Sequence, residues 1–339
     1  MKSKLLNKNK IYLAIFIGLS ISGYLVYSEV ITTDFLKSWE TVSFSSRTFF
    51  YLLLAIIMMF FRDLGYVLRL RLLTDKKLNW LQSIKVILMW EFASAVSPGV
   101  VGGSAVAMFI LKKEKINLGK STAIVFITTL LDNLFYVIAI PVIVGLIEIN
   151  QLLPEGLHHY LTQFWIGYSI ILAITLTLFL SLFVYPQLIQ KLLLFLCKFS
   201  LLSRYKNKAK QTGADIIMAS KVFTKKPLLF WIKLMTSTIF SWSSRFLVVN
   251  FILMGFIALS FQSNLLIFAK QLVMWLVLLV SPTPGGSGVA EYLFDTFLSE
   301  FIPAGALIVL TSIIWRLISY YPYLFIGAFI LPKWLGKTN

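Results

Sequence analysis

The sequence predicts an all-α integral membrane protein, with six spanning helices plus two oppositely oriented re-entrant hairpins in an inverted-topology repeat. Three observations carry this expectation. Hydrophobic residues make up 58% of the 339 and charged residues 13%, about half the usual charged share. Apolar runs long enough to cross a bilayer recur along the whole length, which favours one transmembrane domain over 1–339. The lysines and arginines, for a formal net charge of +17, collect in short segments between those runs, where they hold loops on the cytoplasmic side. That placement sets nucleic acid aside as a partner. The single cysteine, Cys197, rules out an intramolecular disulfide and multi-cysteine metal clusters.

The charges act as a compass for each element. Residues 11–27, preceded by four lysines, read as an uncleaved first helix running outward, because no small-x-small cleavage site follows. The run 48–70 returns, since Arg69, Arg71, Lys76, Lys77 and Lys85 come next. The stretch 86–111 is then followed by Lys112, Lys113, Lys115 and Lys120, so cytoplasmic charge flanks it on both sides. Its centre, Ser97-Pro98-Gly99-Val100-Val101-Gly102-Gly103, explains the reversal. Proline removes a backbone donor, and glycine lets the chain turn. The first arm is expected over 86–96, about 16 Å at 1.5 Å per residue, or half the membrane.

Residues 121–147 go out and 164–185 return. The segment 186–227 carries nine lysines or arginines against one acid, Asp215. It is the expected basic cytoplasmic segment, and it opens on an interfacial amphipathic helix. Residues 228–259 go out and 304–331 run inward to Lys333 and Lys337. Between them, 271–315 holds no lysine or arginine but does hold Glu291, Asp295 and Glu300. The stretch 265–302 is therefore a second hairpin, on the outer face, centred on Ser281-Pro282-Thr283-Pro284-Gly285-Gly286-Ser287-Gly288. Both termini fall in the cytoplasm.

The two hairpins align with 11 identities in 21 pairs and two one-residue gaps, from Lys85 on Lys270 to Ala107 on Ala290. Their flanks match as well. Arg62 lies 35 residues before Ser97 and Arg245 lies 36 before Ser281, while Asp132 and Arg316 each lie 35 after the corresponding serine. The repeat halves are 11–147 and 164–331. Broken helices in an inverted repeat are the arrangement of secondary transporters, with the substrate near the midplane.

Charges at membrane depth are costly unless paired or hydrated, roughly 3 kcal/mol each on insertion scales. Arg62, Arg245 and Arg316 are candidates to hold a phosphate, which arginine grips with two donors. Arg316 and Asp132 can instead pair with each other, and Arg62 can be satisfied by Asp63 or snorkel. Glu291 has two readings: a cap on the second arm of the outer hairpin, or a protonatable coupling group. Glu91 has the same two. Gly102, Gly103, Gly285 and Gly286 offer backbone donors that suit an anion. His158 and His159 form a loop pair without partners at metal spacing, and no G-x-x-x-x-G-K-[ST] loop is present, so neither a metal, a cofactor nor ATP is expected.

The run Pro282-Thr283-Pro284-Gly285-Gly286-Ser287-Gly288-Val289-Ala290-Glu291 resembles the P-x-P-G-G-x-G-x-x-E signature of the lysylphosphatidylglycerol-synthase transmembrane, or flippase-like, family. Arg316-Leu317-Ile318-Ser319-Tyr320-Tyr321-Pro322 resembles that family's last-helix pattern, and Asp132 fits its Asp-bearing middle helix. The resemblance implies lipid translocation, with membrane lipids and lipid-modifying enzymes as partners and no enzymatic activity in this chain. No aminoacyl-transferase domain is expected after the last helix. The chain departs from many members after the first-hairpin glycines, where Ser104 to Met108 replace an acidic residue and an arginine. The expected function is a flippase or exporter of an anionic phospholipid or polyprenyl-phosphate-type lipid. A non-transporting scaffold or accessory subunit of an envelope-lipid pathway is the alternative.

Overall fold

The computed structural model describes residues 42–97, 99–154, 161–198, 203, 206–279, 281, 283–303 and 306–336, together with Phe16, Ser20, Tyr24 and Tyr27. The expected helix over 11–27, apart from those four positions, and the His158–His159 pair lie outside them. All regular structure among the described residues is helical. Apart from a single turn at Ile149–Leu152, the α-helices in chain order are α1 (Ser46–Leu73), α2 (Trp80–Val96), α3 (Gly99–Lys113), α4 (Leu118–Leu146) and α5 (Leu161–Phe179). They continue as α6 (Gln187–Leu196), α7 (Lys206–Thr224), α8 (Leu228–Phe256), α9 (Phe261–Leu278), α10 (Val289–Leu298), α11 (Ala306–Ser319) and α12 (Tyr321–Gly336).

Six helical stretches among the described residues are long and apolar enough to cross a membrane. Five correspond to spans expected from the sequence: α1, α4, α5 with its terminal π turn, α8, and the stretch Ala306–Gly327 that joins α11 to α12. The sixth is α9, which the charge pattern makes the first arm of the outer hairpin. At 18 residues it extends about 27 Å.

The other first arm is also longer than expected. Helix α2 has 17 residues rather than 11, because it begins before the apolar run does. Asn79 caps it: its side chain accepts from the Gln82 N–H at 2.8 Å, and the Gln82 side chain accepts from the Asn79 N–H at 2.9 Å. This reciprocal pair satisfies two donors that the first turn would leave free. The helix stops at Ser97, whose backbone is extended, as the residue before a proline tends to be.

Helices α1 and α8 pack along most of their lengths. They run antiparallel, since Thr48 donates to the Gly255 carbonyl at 2.9 Å near one end and Arg69 donates to the Thr238 hydroxyl at 3.1 Å near the other. Small residues permit the close approach. A Cβ at Gly65 would overlap the Ser241 hydroxyl and the Ser237 carbonyl. Ser241 then donates to the Arg62 carbonyl at 2.9 Å. Lipid gives helices no hydrophobic reason to associate, so small residues and interhelical hydrogen bonds supply the contact.

The inward helix expected over 304–331 is broken at Tyr320, between α11 and α12. Pro322 has no N–H to continue the ladder. The break turns the Tyr320 ring toward Gly285, where a Cβ would overlap it. Gly285 is further constrained by its left-handed backbone, with φ of 58°, which glycine alone adopts at little cost.

Candidate functional site

A cavity of about 280 Å³ opens among α1, α2, α4, α8, α9 and α11, and both helix breaks reach it. Ser97 and Ser104 line it from the first break, and Ser281, Gly285 and Gly286 from the second. Four arginines lie in or beside it, and three of them are neutralised by carboxylates. Of these pairings only Arg62 with Asp63 is local in sequence; the others join different helices.

Arg62 on α1 is 1% exposed and serves two carboxylates at once. It donates to Asp63 at 2.9 Å and to Glu91 on α2. The Tyr323 hydroxyl completes the group by donating to Asp63 at 2.7 Å. The guanidinium also lies over the rings of Tyr66 and Tyr323, at 4.8 and 5.1 Å. Arg62 thus has the local Asp63 partner expected for it. It is not among the cavity-lining residues, whereas its partner Glu91 is.

Arg69 grips Asp132 on α4 with two donors, at 2.5 and 3.2 Å. Trp242 adds an indole N–H to the same carboxylate at 2.9 Å. The expected alternative partner of Asp132, Arg316, is engaged elsewhere. Its Nε donates to Glu291 at 3.0 Å, its terminal nitrogens reach the Gly285 carbonyl at 3.3 and 3.4 Å, and one also reaches the Ser287 hydroxyl at 3.2 Å. The second Glu291 oxygen accepts from the Gly288 N–H at 2.8 Å, closing the start of α10. Of its two readings, Glu291 therefore meets the capping one directly, and the same carboxylate holds Arg316.

Arg245 on α8 is the exception. It stacks on Trp275 at 4.0 Å and lies 5.4 Å from Trp242, and no carboxylate among the described residues pairs with it. Gly103 and Gly286 differ from expectation. Gly103 stands at the fifth position of α3, beyond the free donors of a helix start, and it makes room for Ser94 on α2. The Gly286 N–H is taken by the Thr283 carbonyl at 3.1 Å, and Gly285 turns its carbonyl toward Arg316. Gly285 thus offers an acceptor here, and the Gly286 and Gly103 donors are already used inside the fold.

Sequence reasoning missed Arg69, Tyr66 and the aromatic wall of Trp242, Trp275, Trp315 and Tyr320. One signal was available: Arg62, Tyr66 and Arg69 recur at i, i+4 and i+7, a single helix face. Lys270 is buried and pairs with Glu300 at 2.8 Å.

The model of the lysylphosphatidylglycerol synthase TM region matches residues 11–327. A UPF0104 membrane protein of Archaeoglobus fulgidus is 26% identical over 289 residues, covering 81% of this chain and 83% of the relative. No solved structure matches the chain. Multiple apolar spans, a cavity reached by two helix breaks, and this match over nearly the whole length agree: the chain is a multi-pass membrane protein belonging to the family of the lysylphosphatidylglycerol synthase TM region.

Proposed function

We propose that this protein translocates an anionic phospholipid or polyprenyl-phosphate-type lipid across the cytoplasmic membrane by alternating access. The observation that carries the reading is that both helix breaks open on one cavity holding paired charges. Such charges inside a membrane are expensive to maintain and are characteristic of substrate pathways. In this reading α2–α3 and α9–α10 are re-entrant hairpins entering from opposite faces, and the halves 11–147 and 164–331 form an inverted repeat. The antiparallel seam of α1 on α8 supports it, because equivalent helices related by a two-fold axis in the membrane plane must run antiparallel. The basic segment 186–227 and both termini face the cytoplasm, in keeping with the positive-inside rule.

Arg245 and Arg316 line the passage, and Arg62 acts on it through Glu91. Glu91 holds Arg62, Asp132 holds Arg69 and Glu291 holds Arg316. A headgroup that displaces a carboxylate from its arginine would couple binding to rearrangement of the breaks.

The test is reconstitution into vesicles carrying fluorescent phosphatidylglycerol or a polyprenyl phosphate, with movement followed by quenching from outside. The wild type is expected to move at least one of these lipids faster than protein-free vesicles do. Arg316→Ala removes a charge-assisted contact and is expected to slow movement about tenfold or more; Glu291→Gln frees the same guanidinium and should also slow it. If the folded wild type moves no lipid from a broad anionic panel, the transport reading fails and a scaffold in an envelope-lipid pathway replaces it.

A further inference from the structure

Two groups beside the cavity lack the partner their chemistry calls for, and one indole joins them. Arg245 lies over the Trp275 and Trp242 rings and pairs with no carboxylate among the described residues. Tyr136 on α4 lines the same cavity and is 2% exposed, and its hydroxyl has no hydrogen-bond partner. Buried hydroxyls are nearly always satisfied, so an orphan calls for an explanation. Trp242 lies against both, with the Tyr136 ring 5.0 Å away in an edge-to-face contact and the Arg245 guanidinium 5.4 Å away. The other arginines of the site already have carboxylates. An added anion therefore gains most at Arg245.

We propose that Arg245 and Tyr136 form the anion subsite of the cavity, and that it takes a phosphate group, as a lipid phosphodiester or as inorganic phosphate. A guanidinium supplies two parallel donors. The tyrosine hydroxyl adds a third from a different helix. Three donors from two directions suit a tetrahedral oxyanion better than a planar carboxylate. Stacking on Trp275 holds the guanidinium in place without consuming its donors. The subsite rests on the transport reading only for the lipid form of the ligand.

The experiment is titration of the purified full chain with dihexanoyl-phosphatidylglycerol and, separately, with inorganic phosphate. Binding is read from tryptophan fluorescence, since Trp242 and Trp275 flank the guanidinium. The wild type is expected to bind at least one probe. Tyr136→Phe keeps the ring and is expected to weaken binding about tenfold, the worth of one hydrogen bond to a charged group. Arg245→Gln should weaken it further, and Tyr168→Phe, whose hydroxyl bonds the Val137 carbonyl outside the cavity, should leave it unchanged. Binding of the lipid alone identifies a headgroup site, and binding of both probes identifies phosphate itself as sufficient. Wild-type affinity in both Tyr136→Phe and Arg245→Gln overturns the proposal, as does failure of the wild type to bind either probe. The vesicle assay separates the two readings. Lipid movement unaltered in both variants removes the subsite and keeps transport, whereas binding weakened in both variants, together with a wild type that binds but moves no lipid, does the reverse.

Discussion

Asp132 sits where a membrane protein tolerates an acid only with a partner, and Arg69 and Trp242 provide three donors to it. Truncating one member of a buried pair leaves the other charged and unsatisfied, at a cost of about 3–5 kcal/mol. Asp132→Ala is therefore expected to lower the thermal unfolding midpoint markedly in detergent. The double substitution Arg69→Met with Asp132→Leu should recover much of the loss, because it removes both charges together. Asp75 makes a different residue-scale case, outside the spans. Partial burial alone would raise its carboxyl, but hydrogen bonds from Lys120 at 2.5 Å and Lys226 at 2.6 Å outweigh that and hold it below the usual carboxylate range. A folded-state value below the unfolded one stabilises the protein above the ordinary carboxylate pKa, about 3.9. That contribution is lost as pH falls through the depressed folded value. Asp75 is exposed, so screening limits the effect to about 1 kcal/mol or less. Asp75→Asn should be less stable than wild type at pH 7, and the gap should close on acidification below about pH 4.

Helix spacing decides how much of this could be read in advance. The breaks at Ser97 and Ser281 were legible because proline and glycine announce themselves chemically, and the antiparallel flanks because charge signs do. The boundaries of α2 were not, since its start is set by a side-chain exchange between Asn79 and Gln82 rather than by hydropathy. Arg69 was hidden for a related reason: next to Arg71, Lys76 and Lys77 it reads as loop charge. The choice of Glu291 over Asp132 for Arg316 was out of reach because it depends on how far α11 lies from α4 and α10. At the element scale the α1–α8 seam makes a sharp prediction. Gly65→Ala places a methyl against a backbone carbonyl, which cannot move aside as a side chain can. The expected loss is about 1–3 kcal/mol, read as a lower unfolding midpoint.

For the molecule as a whole, the disposition of the hairpins can be tested by labelling single cysteines in a Cys197→Ser background. Lys77, Lys115, Gln262 and Ser299 are all exposed. If α2–α3 is re-entrant, Lys77→Cys and Lys115→Cys react from one side of the membrane, and Gln262→Cys and Ser299→Cys both react from the other. Labelling of Lys77→Cys and Lys115→Cys from opposite sides would show that the α2–α3 unit spans, and would remove the inverted repeat. The length of α9 makes the Gln262 and Ser299 pair the more stringent half of the test.

The buried ion pairs have a bearing on motion. Arg62 with Asp63 and Glu91, and Arg69 with Asp132, lie wholly before residue 147; Arg316 with Glu291, and Lys270 with Glu300, lie wholly after residue 160. Across the divide run hydroxyl, indole and guanidinium hydrogen bonds, among them Tyr323 to Asp63 and Tyr320 to the Ala95 carbonyl. Among the described residues the one ion pair that crosses is Lys226 with Asp75, at the exposed surface. In the proposed alternating access, displacement of one portion relative to the other leaves each of these buried ion pairs intact. Relative displacement then exchanges neutral or singly charged hydrogen bonds, each about 1–3 kcal/mol, and leaves the electrostatic core of each portion intact.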